Sequence, residues 1–256
     1  MGGETVLVLT PSRGRPGRLA EMLDATLGTS GLGTHVAVGY DEDDPELAGY
    51  TDLAAAAREL YPGRTFWHRR RRMSVTGWTN YLAGHPRAAR YPYLASLGDD
   101  HLPRTEGWDG KLTAAIGAAG GTGIAYGDDR HQHENLPTAP VISAGIVAVL
   151  GWMMLPGIVS QFADNAWRDL GDLAGCLHYV PGVIIEHCHP DAGKAGRDRT
   201  YSDGHAHWAE DQAMYLDWAR GQRDNDVTAV RNVMRLHTPV HAFATGGRVR
   251  YDGGLL

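Results

Sequence analysis

Three short apolar runs in this chain each stop abruptly at a polar loop, and this pattern restricts the fold more than any other feature. Thr5-Val6-Leu7-Val8-Leu9 runs into Thr10-Pro11-Ser12-Arg13-Gly14-Arg15-Pro16. Thr34 to Tyr40 runs into the acidic loop Asp41-Glu42-Asp43-Asp44-Pro45. Tyr93-Leu94-Ala95-Ser96-Leu97 runs into Gly98-Asp99-Asp100-His101. Apolar runs of this length bounded by turn residues read as buried strands. Between them, Leu19, Met22, Leu23, Thr26 and Leu27 have helical spacing, and a second helix is expected from about Pro45 to Leu60. Strand, helix, strand, helix in that order predicts an α/β fold with an open, mainly parallel central sheet flanked by helices. In such sheets ligands bind beyond the carboxyl ends of the strands, which is where the loops at 10–16, 41–45 and 98–101 would lie.

The second half is less regular. Strands are expected near Ile124–Tyr126 and Tyr179–Glu186, and helices near Phe162–Leu170 and His207–Arg220. Pro140–Leu150 reads as buried, and the last thirty or so residues carry weak signals. The expected organisation is a nucleotide-binding half over 1–125, an acceptor and catalytic half of the same domain over 126–220, and a C-terminal segment over 221–256.

Composition excludes several function classes. A net charge of -6 rules out a globally basic nucleic-acid packer. Cys176 and Cys188 are too few for a disulfide framework or a multi-cysteine zinc module. No secretory pattern or transmembrane-length run is present, because Val141–Val159 is broken by glycines and Pro156, so a cytoplasmic location is expected.

The group with the most chemistry is Asp99-Asp100-His101. Two adjacent carboxylates and an imidazole after a buried strand are costly to gather without a cation, and a divalent metal on nucleotide phosphates would neutralise them. Oxygen-rich ligands favour Mg²⁺ or Mn²⁺, and imidazole tilts the choice toward Mn²⁺. The bland alternative is a solvated turn capping the next helix. His187-Cys188-His189 follows an expected strand, and residues 187 and 189 of an extended segment share a face, so either imidazole is a candidate third ligand.

In order and spacing these pieces resemble a GT-A-fold glycosyltransferase, near the large inverting family two. The resemblance rests on Val6 to Pro16, on Leu97-Gly98-Asp99-Asp100-His101 and on Ala163-Asp164-Asn165-Ala166-Trp167-Arg168, which follows about 65 residues later. It implies a metal-dependent transfer of sugar from a nucleoside-diphosphate sugar to an acceptor hydroxyl, with Mn²⁺ or Mg²⁺ as cofactor. The loops holding Pro11, Ser12, Arg13 and Arg15 and Asp41 or Asp43 would bind the nucleotide. Trp78, Thr79 and Asn80 would line the base and sugar pocket. Asp99 would face the ribose, with Asp100 and His101 toward the metal; an Asp99 and His101 ligand pair is the alternative. Asp164 matches the family's general base, although Ala163 replaces the acidic residue that usually precedes it; Asp169, one turn on, competes. Lys194, Arg197, Arg199 and Tyr201 would belong to a loop closing over the diphosphate.

A sugar-phosphate nucleotidyltransferase uses a similar α/β half, but its longer glycine-rich loop and following lysine are missing: residues 11–18 hold two glycines and no lysine. A non-catalytic nucleotide- or glycan-binding module is the third alternative. The sharpest charge anomaly is Arg69-Arg70-Arg71-Arg72, inside a stretch from Arg58 to Arg90 with 8 arginines and one acid. It allows three readings: donor phosphate contact, a polyanionic acceptor such as DNA, or a solvated loop. A compact arginine-rich enzyme of this kind suits a phage, whose acceptor would be a hydroxymethylated base in DNA or a protein Ser/Thr.

Overall fold

The structure is a computed structural model and describes residues 5–189, 193 and 206–237. Its centre is β1 (Val6–Ser12), whose side chains alternate between two cores. Val6 and Val8 pack with Leu19, Met22 and Leu23 of α1 (Pro16–Thr29) and with Trp108 and Leu112 of α4 (Trp108–Ala118). Leu7 and Leu9 face the other way, into a core shared with Leu82 of α3 (Val75–Ala83), Ile146 of α5 (Ala144–Leu150) and Trp167 and Leu170 of α6 (Ala163–Ala174). The strand period of two thus places one sheet between two helical layers.

The sheet has eight strands in the order β3-β2-β1-β4-β7-β6-β8-β5. β2 (Thr34–Asp41), β3 (Thr65–Arg70) and β4 (Tyr93–Ser96) are parallel to their neighbours around β1, and α2 (Leu47–Leu60) links β2 to β3. β7 (Val141–Ser143) turns the direction, pairing antiparallel with both β4 and β6 (Ile124–Asp128). β8 (Leu177–His187) is parallel to β6, then passes an irregularity at Gly127/Asp128 and pairs antiparallel with β5 (His101–Pro103). The expected α/β class holds, with a purely parallel first half and a mixed second half.

Two regions depart from the sequence reading. Only part of the basic run is loop: His68, Arg69 and Arg70 belong to edge strand β3, and Arg71 and Arg72 follow its end. The weak C-terminal region contains a full helix, α8 (Arg223–His237), which follows α7 (Trp208–Gly221). Val227 and Val230 of α8 are buried in the same core as Trp167. Their spacing of three, continued by Met234, is a helical signal among otherwise polar residues.

Candidate active site

The strand ends predicted to carry function open into one cavity of about 540 Å³. Its walls include Pro11, Ser12, Arg13 and Arg15 after β1, Asp41 at the end of β2, Asp99, Asp100 and His101 after β4, Asp164 on α6, and His187 and His189 at the end of β8.

On the β1 side the carboxylates are locked. Asp41 is 1% exposed and accepts from Arg13 at 2.7 Å, from the Trp78 indole Nε1 at 2.7 Å and from the Met73 amide at 3.2 Å. Gly39 makes this possible: a Cβ there would lie 2.4 Å from the Trp78 ring. Asp99 accepts from the Ser12 hydroxyl at 2.7 Å and from Arg15 at 3.2 Å, and Ser12 also shares a 2.8 Å hydrogen bond with the Tyr50 hydroxyl. Burial and the neighbouring Asp100 push the Asp99 carboxyl up to about 6, against the pull of Arg15 and Ser12. Tyr50 was not anticipated from sequence; it is a buried phenol on α2 that also accepts from the Arg15 amide at 3.1 Å.

Not every expected nucleotide contact reaches the cavity wall. Asp43 is exposed and pairs with Arg13 at 2.8 Å from outside. Asn80 is spent on the backbone: its Oδ1 accepts from the Met153 and Met154 amides, both at 2.8 Å, and its Nδ2 donates to the Met154 carbonyl at 2.8 Å. It fastens α3 to the loop that follows α5. Asp109, downstream of the Asp-Asp-His motif, accepts from the Gly31 amide at 3.0 Å and from the Thr34 hydroxyl at 2.5 Å.

The centre of the cavity is a carboxylate–imidazole cluster. Pairing of β5 with β8 sets His101 directly opposite His187, and their rings stack 4.1 Å apart. Gly98 leaves room for the turn that folds Asp100 back, since a Cβ there would lie 2.7 Å from an Asp100 oxygen. Asp100 then faces both rings, 3.2 Å from His101 Nδ1 and 3.6 Å from His187 Nε2. One ligand atom from each of Asp100, His101 and His187 falls within 4.8 Å of the others. His189 lies beside this set, its ring 4.9 Å from His187 and stacked on His131 at 5.2 Å.

The charges in this cluster are strongly coupled. Burial works against ionisation of Asp100, yet His101 and His187 hold its carboxyl well below the usual range. Burial likewise disfavours a charged His187, but Asp100 and Asp129 push it up to about 9. Burial and His187 push His101 down. Asp129 was missed in the sequence. It is a buried residue whose Oδ1 accepts from the amides of His131, Gln132 and His133 and whose Oδ2 sits 3.8 Å from His187 Nδ1. Burial opposes its ionisation, and the His187 and backbone contacts hold it well down. Among the described residues, His101 Nε2 and His187 Nδ1 are buried without a hydrogen-bond partner. Orphaned imidazole nitrogens beside a carboxylate, with a second carboxylate behind one ring, fit a divalent metal site.

Asp164 stands apart from these pairs. It sits in the first turn of α6, on the cavity wall, and accepts no hydrogen bond from a described residue. Burial, with Asp129 adding and His187 subtracting, pushes its carboxyl up to about 7. Its competitor Asp169 is consumed elsewhere, accepting from the Tyr215 hydroxyl at 2.7 Å and from Arg223 at 3.1 Å.

The basic stretch divides on folding. Arg64 binds the Thr34 and Leu27 carbonyls at 3.1 Å, and Arg87 stacks 3.8 Å over Phe66. Arg70 covers the Tyr81 ring at 4.8 Å, and Arg72 lines the cavity. Arg69 to Arg72 remain exposed at the end of the edge strand. Lys194, Arg197, Arg199 and Tyr201 lie outside the described residues. Among the described residues no helix is long and apolar enough to cross a membrane.

No protein-family model matches the chain, and no curated protein is similar to it in sequence. Solved structures are similar in fold. The mannosyltransferase PcManGT from Pyrobaculum calidifontis, solved with GDP-Man and Mn²⁺, superposes with a TM-score of 0.59 at 10% identity, covering 92% of this chain and 75% of that one. GalNAc-T7, solved with UDP, GalNAc and Mn²⁺, gives 0.61 at 13% identity over 92% of this chain and 55% of its own. Glucosyl-3-phosphoglycerate synthase from Mycobacterium tuberculosis, solved with Mn²⁺, UDP and phosphoglyceric acid, gives 0.54 at 11% identity over 84% of this chain and 78% of its own. The chain therefore has the GT-A fold of these nucleotide-sugar glycosyltransferases.

Proposed function

We propose that the protein is a metal-dependent, inverting glycosyltransferase that uses a nucleoside-diphosphate sugar. The observation that carries this reading is the division of carboxylates in one cavity: a cluster fitted to a cation, and Asp164 left unpartnered across from it. Residues 1–125 are the donor half, where Ser12, Arg13 and Arg15 meet the nucleotide and its phosphates. Asp100, His101 and His187 hold Mn²⁺ or Mg²⁺, with Asp129 orienting the His187 ring. When bound, the ion neutralises the negative charge of the diphosphate. Asp99, tied to Ser12 and Arg15, keeps its place on the ribose side. Asp164 takes the proton from the acceptor hydroxyl as the hydroxyl oxygen bonds to the anomeric carbon. The bond to the diphosphate oxygen breaks on the opposite side, the diphosphate leaves with the electron pair, and the configuration inverts. A carboxyl lifted toward neutrality suits this role, because a general base works best with a pKa near the working pH.

A second reading concerns the acceptor. Four consecutive exposed arginines beside the cavity favour a polyanion such as DNA, with a hydroxymethylated base as the reacting group; a protein Ser/Thr hydroxyl is the uncharged alternative. Binding of duplex DNA that falls steeply between 50 and 200 mM salt, and falls less steeply after Arg69→Gln with Arg71→Gln, is the expected sign of a DNA acceptor. No DNA binding at low salt removes it.

The reaction class is tested with a panel of UDP- and GDP-sugars and Mn²⁺. Slow release of nucleotide from one donor, abolished by chelation and restored by Mn²⁺, is expected. No release and no thermal shift with any donor would overturn the proposal.

A further inference from the structure

A cluster of cationic side chains lies behind the cavity wall, on the outer edge of the sheet. Phe66, His68 and Arg70 alternate onto one face of edge strand β3, the face that meets α3. Across from them stand Tyr81 on α3 and His85 and Arg87 just past its end. The His68 ring is 4.7 Å from the His85 ring and 5.8 Å from the Tyr81 ring. Arg87 rests over Phe66 at 3.8 Å, and Arg70 rests over Tyr81 at 4.8 Å. Tyr81 in turn meets Trp78 edge-on at 5.8 Å, and Trp78 and Arg72 belong to the cavity wall.

These four groups repel one another, and their donors are largely unspent. Burial pushes His68 down, and His85, Arg87 and Arg70 push it further. Among the described residues none of the four forms an ion pair with a carboxylate. The Arg87 amide donates to His85 Nδ1 at 3.2 Å, which puts the proton of the neutral ring on Nε2. Among the described residues the Arg70 guanidinium reaches only the Tyr81 hydroxyl, at a long 3.4 Å, and the Arg87 guanidinium donates to none. A helix C-terminus favours cations, which accounts for His85 and Arg87 beyond α3. It does not account for His68 and Arg70, which sit on a strand. Gathering like charges at a sheet edge costs stability, and an anion among them offsets that cost.

We propose that His68, Arg70, His85 and Arg87 form a phosphodiester-binding site outside the cavity, and that its ligand is the backbone of a DNA acceptor whose reacting nucleotide enters the cavity past Arg72. The inference rests on the DNA reading of the acceptor for the source of the phosphate. The guanidinium fork matches phosphate oxygens, and the imidazole N–H groups add donors beside it. Arg69 to Arg72 continue the same charge to the cavity mouth, so a ligand with a repeating negative charge can follow the row. Backbone contacts of this kind fix register and orientation and carry no sequence information. The site therefore holds the strand while the cavity selects the nucleotide. A nucleotide extruded from the stack into a pocket needs its flanking backbone held in this way.

The test is NMR on the full chain, following the Cε1–H signals of His68 and His85, assigned with His68→Gln and His85→Gln. The probes are inorganic phosphate, a short DNA duplex and a glutamate peptide of matching charge. Both signals should shift saturably with the duplex, and more weakly with phosphate. Arg70→Gln and Arg87→Gln should each flatten the slope of log affinity for the duplex against log salt by about 0.9, the value of one phosphate contact. Arg87→Lys should keep the slope, because the charge remains, while binding weakens with loss of the fork. Duplex binding that leaves both signals and both slopes unchanged overturns the site and spares the DNA reading. Shifts with phosphate but not with the duplex, or with the peptide alone, overturn the nucleic-acid ligand. Silence with every probe overturns the site whatever the nucleotide-release assay gives, because binding is read independently of turnover.

Discussion

The two sides of the cavity treat their carboxylates in opposite ways. Toward β1 and β2, Asp41 and Asp99 are buried and tied to guanidinium, hydroxyl and amide donors. On α6, Asp164 is half-buried on the cavity wall with none of these partners, and desolvation, with Asp129 adding and His187 subtracting, lifts it to about 7. A carboxylate tied to donors shapes a site; under the proposed function, the one without them is the base. On that reading, the difference divides identical residue types in one cavity between scaffold and chemistry.

Removing the unpartnered carboxylate is the harshest way to break that contrast. Asp164→Asn should lower transfer about 10²–10⁴-fold while leaving donor affinity unchanged, measured by acceptor-dependent turnover beside nucleotide titration. The same change should stabilise the metal-free protein, with a definite pH signature. Asp164 has a folded pKa near 7 against an ordinary value near 4, so ionising it costs native stability as pH rises through that interval. Asp164→Asn should therefore melt higher than wild type at pH 8 and equally at pH 4. A lower melting temperature at pH 8 would mean that the carboxylate is held by contacts after all.

On the locked side the expected effects are smaller. Arg13→Gln leaves Asp41 with its indole and amide donors but no cation. We expect a donor KM raised about tenfold and a stability loss of about 1–2 kcal/mol, discounted because Arg13 is a quarter exposed. An unchanged KM would show that Arg13 serves the fold alone. The smallest catalytic effect belongs to Asn80→Ala. Two loop amides lose their acceptor, so unfolding should become easier by about 1–3 kcal/mol with donor KM unaltered. A raised KM without destabilisation would return Asn80 to the nucleotide pocket.

Asn80 also marks where reading the sequence reaches its limit. Its neighbourhood, Trp78-Thr79-Asn80, resembles a pocket lining, and Trp78 does line the cavity. Two helical positions are about 200° of rotation, and they turn Asn80 toward the backbone of residues 153–154 instead. His187 and His189 show the complementary case. Their alternation predicts a shared face and both line the cavity, but only the β5–β8 register decided that His187 meets Asp100 and His101. Asp129 and Asp211 had no local signature at all, because each is defined by the amides it accepts from a folded loop.

What the chain determines by itself is therefore local and periodic. Apolar runs ending in Ser12-Arg13, Asp41 and Asp99-Asp100-His101 fix strands with polar carboxyl ends, and those ends are the cavity wall. What only the tertiary structure decided is which carboxylates are paid their hydrogen bonds and which are not. That depends on side chains 28 to 87 positions apart, such as Arg13 with Asp41 or Ser12 with Asp99, meeting across parallel strands. Charge pairing is a property of distance in space, and a linear sequence carries distance only along the chain.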